Sequence, residues 1–298
     1  MPRVVVALLN ADQEFQQLQA RDARESGARL KLDVEVAFAE GHAVVQIQQL
    51  FKHIHAPEAE RPAAIVVEPA TAEGLERVAR NAVSAGIGWV VMAARVEYVH
   101  ALRAKHPGLL VSQVGADQRE VGRIQGRQCR ALLGAGGRVL CVQGPADSMA
   151  TADRLEGLKE TLGPGFEVRG VSGDWTEAGG EKAVASWLRL KTTEAFPPDV
   201  VVCQNDSMAA GARRAVLEHR KEWGRLPFLG VDGLPQGGLK MVAQGLLAAT
   251  VVTPSNTGPA LEMVARWERS KEMPPSEVRL APRSHPPEGE LQRPGDER

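Results

Sequence analysis

Ten short apolar runs rich in β-branched residues punctuate the chain. They are RVVVALL from Arg3, LDVEVAF from Leu32, AAIVVEP from Ala63, GWVVMAA from Gly88 and LLVSQVG from Leu109, then GRVLCVQG from Gly137, FEVRGVSG from Phe166, PDVVVCQN from Pro198, LPFLGVDG from Leu226 and LAATVVTP from Leu247. Most are continuous rather than alternating, the pattern of strands covered on both faces. The segments between them have helical length and period. In TAEGLERVARNAVSAG, for example, Leu75, Val78, Ala79 and Ala82 share one face, while Glu73, Glu76, Arg77 and Arg80 lie on others. Strand and helix therefore alternate, which predicts βαβ units, parallel sheets and the α/β class. Ten strands are many for one doubly wound sheet, so the pattern predicts two Rossmann-like lobes of about five strands each, flanked by helices and divided near Gly115 and Ala116. The last stretch, APRSHPPEGELQRPGDER, has four prolines, many charges and little apolar surface to offset its ordering entropy, and predicts a disordered tail over 281–298.

Composition narrows the functional classes. With 298 residues, 43% hydrophobic and 24% charged, the chain has room for two medium domains. A formal net charge of −1 and the lack of a basic run argue against a nucleic-acid partner. Cys129, Cys141 and Cys203 are scattered, without C-x-x-C spacing or a nearby histidine pair, and read as small buried hydrophobes. No run approaches the ~20 apolar residues of a spanning helix, so the chain is not expected to cross a membrane. MPRVVVALLN lacks the apolar core and cleavage site of a signal peptide, which as written predicts a cytoplasmic chain.

In open α/β sheets ligands sit beyond the carboxyl ends of the strands. The residues found there are Asn10 and Asp12, Glu68, Arg95, Asp147 and Ser148, Asp174 and Trp175, Asn205 and Asp206, and Asp232. Acceptors and amides dominate this set, which suits a neutral ligand rich in hydroxyls. A carboxylate accepts from two vicinal hydroxyls, an amide donates and accepts, and a guanidinium fork donates twice. Trp175 adds a flat apolar surface for a sugar ring. The competing reading for each Asp or Asn is helix capping. Asp206, directly before SMAAGARRAVLEH, is expected to cap that helix and leave Asn205 facing a cleft.

Four stretches, QVGADQREVGRIQGR (Gln113 to Arg127), ADRLEGLKETL (Ala152 to Leu162), QNDSMAAGA (Gln204 to Ala212) and GVDG (Gly230 to Gly233), resemble in order and spacing the type I periplasmic sugar-binding proteins, the ribose-binding-protein-like family. Lactose-repressor-type effector-binding cores share that fold. The resemblance extends to about residue 280. It implies an N-terminal lobe of 1–115 plus 254–280, a C-terminal lobe of 116–253, and a three-crossing hinge near Gly115, Thr253 and Leu280 that closes on a ligand. It also implies that Asn205 and Asp232 contact sugar hydroxyls, that Arg154 grips the ring substituents, and that Trp175 stacks on the ring. The first lobe departs from the family pattern. Glu68 stands where Asn or Asp is usual, Ala93 and Ala94 precede Arg95, and an aromatic pair is reduced to Phe15.

The function implied is non-catalytic binding of a monosaccharide or similar molecule, with no cofactor and no metal, as the solute-binding component of an ABC-type uptake system. A membrane permease or a sensor kinase is the implied partner. The family role would place the chain in the periplasm or cell envelope if a leader precedes it. Two rivals are a cytoplasmic sensing core without a DNA-binding headpiece and an α/β enzyme acting on nucleotide sugars; the second lacks a visible acid and base pair. Arg119, Arg123, Arg127 and Arg130 lie opposite Val121, Ile124, Gln128 and Leu132 and read as the solvated face of an amphipathic helix. His53 and His55 point apart, so joint metal ligation is not expected. GAGGRVLC precedes a strand instead of following one, unlike a dinucleotide fingerprint, and no Walker loop, G-x-S-x-G or H-E-x-x-H occurs.

Overall fold

A computed structural model describes residues 1–70, 74–93, 96–193 and 195–291. Strands and helices alternate through the first part of the chain as β1 (Arg3–Leu8), α1 (Glu14–Leu30), β2 (Asp33–Phe38), α2 (Ala43–Ile54), β3 (Ala64–Val67), α3 (Leu75–Ser84), β4 (Gly88–Met92), α4 (Tyr98–Lys105) and β5 (Val111–Ala116). They continue as α5 (Gln118–Leu133), β6 (Gly137–Gln143), α6 (Met149–Leu162), β7 (Phe166–Ser172), α7 (Glu177–Leu188), β8 (Val200–Cys203), α8 (Asp206–His219), β9 (Phe228–Asp232), α9 (Gly238–Ala243), β10 (Ala249–Val252), α10 (Thr257–Ser270), β11 (Glu277–Leu280) and β12 (Arg283–His285). The chain divides into two units. Unit 1 is Met1–Ala116 with Ser255–Leu280, and unit 2 is Asp117–Pro254 with the described residues from Ala281 onward.

Unit 1 carries a sheet in the order β11-β5-β4-β3-β1-β2, and unit 2 one in the order β12-β10-β9-β8-β6-β7. Every pairing is parallel except β10 with β12. The continuous apolar runs are the central strands. Val4 to Val6, Ala64 to Val67 and Val200 to Cys203 are all fully buried, as helices on both faces of a parallel sheet require. The predicted face of α3 is the buried one, with Leu75, Val78, Ala79 and Ala82 inside.

Each sheet has six strands rather than about five. The additions are β11 and β12, EVRL and RSH, too short and polar to register as apolar runs. β12 also corrects the expectation of disorder from Ala281. It pairs antiparallel with β10, with Thr250 opposite His285. Gln128 Nε2 donates to Ser284 Oγ at 2.9 Å, Arg127 pairs with Glu288 at 3.0 Å, and Leu291 packs on the apolar cluster around Leu132. Composition counts apolar area, whereas this segment is held mainly by main-chain bonds to an otherwise open strand edge. The remainder of the expected tail, 292–298, lies outside the described residues.

In unit 2, α5 and α6 approach backbone to backbone. A Cβ on Gly122 of α5 would fall 2.0 Å from the Arg154 carbonyl oxygen, and one on Gly157 of α6 would fall 1.9 Å from that of Arg119. Glycine alone permits this contact. It seats α6 on α5 at the level of Arg154, so Gly157→Ala is expected to cost about 1–3 kcal/mol by overpacking, read as a fall in the urea midpoint.

Candidate functional site

In unit 2 the strand-end residues converge on the junction between β8 and α8. Asn205 is the cap of α8: its Oδ1 accepts from Met208 N–H at 2.9 Å, and its Nδ2 donates to the Trp175 carbonyl at 2.8 Å. This reverses the expected roles, since Asp206 does not cap. The Asp206 carboxylate is buried and turns toward β9 and β10 to accept from Gly233 N–H and Thr250 Oγ1, both at 2.7 Å. One residue occupies the N-cap position, and the extended backbone of Asn205 (φ −152, ψ 169) aims its side chain at the first-turn N–H groups. Asn205 keeps one N–H and one lone pair beyond those two bonds.

Arg154, on α6, is buried. Its Nε donates to Gln118 Oε1 at 2.8 Å, an Nη donates to the Gln204 carbonyl, and its guanidinium carbon lies 5.5 Å from the centre of the Trp175 ring. The half-buried Trp175 ring covers Gly144, where a Cβ would fall 2.2 Å from Cζ2. Asp174 Oδ1 accepts from Thr176 N–H at 2.9 Å and from Thr176 Oγ1 at 2.6 Å, and Thr176 caps α7, so the tryptophan sits in a closed turn. Arg154, Trp175 and Asn205 are thus joined directly. Asp232 ends the neighbouring β9, one residue before the Gly233 N–H that Asp206 holds.

In unit 1, Glu68 follows β3 and is buried. Gln16 Nε2 donates to its Oε1 at 3.1 Å and Gln19 Nε2 to its Oε2 at 2.8 Å, both from α1, while Gln46 Nε2 donates to its carbonyl at 2.8 Å. Hydrogen bonds of this kind offset the cost of burying a carboxylate. Half-buried Asn10 lies against Gly41, Asp12 is exposed, and Phe15 is half-buried on the first turn of α1. Arg95 lies outside the described residues. Sequence reading missed Gln16, Gln19, Gln118 and Gln204. The signal for the α1 pair was present, because Gln16 and Gln19 fall on the same face as Ala20, Ala23 and Gly27, where apolar residues are expected.

Backbone strain marks the same places. Among the described residues, six that are not glycine have positive φ. Lys31 and Lys271 end helices. The other four, Glu40 (φ 52), Ala93 (φ 58), Trp175 (φ 72) and Asp232 (φ 106), stand at the carboxyl ends of β2, β4, β7 and β9. Such conformations cost on the order of 1–3 kcal/mol each and persist where the surroundings over-determine them, commonly at functional sites.

Other candidates dissolve into structure. Arg119 pairs with Glu156 at 2.9 Å and also with Glu160, and Arg123 reaches Glu160 at 3.1 Å, so α5 presents ion pairs to α6. The hydrogen bond from Arg119, supported by Arg123, holds the Glu160 carboxyl down at about 2. His53 is buried 3.6 Å from Glu35, and burial lowers its pKa, while His55 stacks on Phe51. Burial raises the thiol pKa of all three cysteines, that of Cys141 to about 12, so the thiols stay protonated. Among the described residues there is no group of three or more His, Cys, Asp or Glu side chains that could hold a metal, and no helix long and apolar enough to cross a membrane.

Two units, each an α/β sheet of mostly parallel strands flanked by helices, place the chain in the class of two-unit α/β proteins. Residues 4–258 match the family described as "Periplasmic binding protein domain", and the chain belongs to that family. The galactofuranose-binding protein of Escherichia coli is 26% identical over 216 residues, 71% of this chain and 66% of that protein. The ribose import binding protein of Salmonella typhimurium is 30% identical over 160 residues, 53% of this chain and 52% of that protein. The chain thus spans less than two thirds of the length of these curated relatives. Among solved structures, a Caulobacter myo-inositol binding protein bound to myo-inositol aligns with a TM-score of 0.80 at 23% identity, covering 95% of this chain and 92% of that one. An ABC transporter periplasmic solute binding protein from Actinobacillus succinogenes with bound D-allose aligns with a TM-score of 0.82 at 22% identity, covering 95% of this chain and 97% of that one. The fold is that of type I periplasmic binding proteins.

Proposed function

We propose that the chain binds a small polyhydroxylated molecule, a monosaccharide or cyclic polyol, without transforming it, as the solute-binding component of an ABC-type uptake system whose partner is a membrane permease. The observation that carries this reading is the strained strand-end rim of unit 2, where the Arg154 guanidinium lies over the Trp175 ring, the Asn205 amide holds the Trp175 carbonyl, and Asp232 ends the adjacent strand β9. A guanidinium and a carboxylate together satisfy vicinal hydroxyls as donor and acceptor, and an indole face covers the apolar C–H surface of a sugar ring. In unit 1, Glu68 and Asn10 supply acceptors at strand ends of the same kind, and Phe15, on the first turn of α1, supplies an apolar surface. Relatives named for galactofuranose and ribose, and structures holding myo-inositol and D-allose, support the ligand class.

A thermal-shift screen against pentoses, hexoses in both ring sizes, inositols and linear polyols tests the reading. A ligand that binds only the folded state stabilises it by about 2.7 kcal/mol at a hundred times its Kd, a shift of several degrees for a chain of this size. At least one cyclic polyol is expected to give that shift. Silence across the panel at millimolar concentration would contradict the proposal.

A further inference from the structure

The Gln19 side chain joins the strand-end carboxylate of unit 1 to the segment by which the chain enters that unit. Gln19 is fully buried on α1. Its Nε2 donates to Glu68 Oε2 at 2.8 Å. Its Oε1 accepts from Asn256 N–H at 2.8 Å and Thr257 Oγ1 at 2.9 Å, while the nearby Ser255 hydroxyl, 3.2 Å away, gives its single proton to Asp22 Oδ2 at 2.5 Å. Ser255 is the first residue of unit 1 after the chain leaves unit 2 at Pro254.

The chemistry fixes the direction of this bridge. A carboxylate only accepts, so the amide must turn its nitrogen to Glu68, and its oxygen is then left for the Asn256 N–H and the Thr257 hydroxyl. The entering segment rests on that oxygen through Asn256 and Thr257 and on Asp22 through Ser255 Oγ and Gly258 N–H, and Asn256 Oδ1 is buried there without a hydrogen-bond partner. Buried polar groups left unpaired are costly, and a network that is partly satisfied is sensitive to any member that moves.

We propose that Gln19 is a positioning residue for the ligand site, making the hold on Asn256 and Thr257 depend on what Glu68 engages. A sugar hydroxyl donating to Glu68 competes with the Gln19 N–H and thereby loosens or re-aims the acceptor on which the entering segment rests. The ligand part of this inference rests on the sugar-binding reading; the bridge does not.

Hydrogen exchange of the full chain, followed at the Asn256 and Thr257 amides, tests both parts. The variants are Glu68→Gln, Gln19→Met, and the exchanged pair Gln19→Glu with Glu68→Gln, with and without the sugar that gives the largest thermal shift. A glutamine at 68 can accept from only one of Gln16 and Gln19, so without sugar each single variant is expected to exchange roughly tenfold faster at Asn256, with β6 to β9 unchanged. The exchanged pair restores every donor to an acceptor and should return the rate close to wild type. With sugar, exchange at Asn256 changes in wild type, whereas Gln19→Met binds the sugar without that change. An unaltered rate at Asn256 in Glu68→Gln overturns the bridge, even if Gln19→Met fails to fold. An equal response to sugar in wild type and Gln19→Met overturns the positioning role. If no sugar binds, the functional reading fails, and the sugar-free rates still decide the bridge.

Discussion

Asp206→Ala lowers the stability of unit 2 by about 3 kcal/mol, because it leaves two buried donors without an acceptor, each worth roughly 1–3 kcal/mol. Gly233 N–H and Thr250 Oγ1 both donate to this carboxylate at 2.7 Å, from the turn after β9 and from β10. The surroundings cannot collapse onto the gap without moving backbone. A Cβ on Gly230 or Gly238 would fall 2.0 Å from an Asp206 oxygen, so the carboxylate fills the space those glycines leave. Asp206 thus ties four segments together: the β8–α8 junction, the end of β9, the start of α9 and β10. Asp206→Asn keeps the shape and one acceptor and should cost about half as much. Urea unfolding of the two variants measures the difference, and sugar affinity should fall in step, since Asp232 is held in its strained backbone by the neighbouring Gly233 contact.

Arg154→Ala is expected to weaken sugar binding roughly ten- to hundredfold, or about 1–3 kcal/mol, by removing the guanidinium fork from the rim. The loss is twofold in origin. Ligand hydroxyls lose their donor, and the Gln204 carbonyl and Gln118 amide that Arg154 also serves lose theirs, so the Trp175 ring loses its cationic neighbour and its support. Arg154→Lys should recover little, because an ammonium is a point charge and cannot reproduce two parallel bonds. Arg123→Ala is the control: its ion pair with Glu160 on α5 and α6 is exposed, so both affinity and stability should stay within a few tenths of a kcal/mol. Calorimetric titration of the three variants with one responsive sugar separates these cases.

The parts of the fold legible in the sequence were those built from apolar surface. Val4 to Val6 or Val200 to Cys203 cannot be read as anything but covered strands, and the alternation with helices of period 3.6 dictates parallel pairing. What pattern could not show is structure made by the main chain alone, such as β12, whose residues RSH carry no apolar signal. The polar residues at the strand ends were legible as a set, though not in their individual roles. Asn205 and Asp206 have the same capping chemistry, and only the backbone angles decide which side chain reaches the helix N-terminus and which is drawn toward β9 and β10. The glutamines around Glu68 and Arg154 were legible only as exceptions to pattern: an amide on an apolar helix face has no role until the carboxylate or guanidinium it serves is placed beside it.

A crystal structure with the sugar that gives the largest thermal shift is the most direct test of the proposed site. Ring hydroxyls are expected within about 3.2 Å of Arg154, Asn205 and Asp232, with the sugar face against the Trp175 ring. A sugar bound elsewhere, with those four side chains beyond about 4 Å of it, would overturn the proposed site.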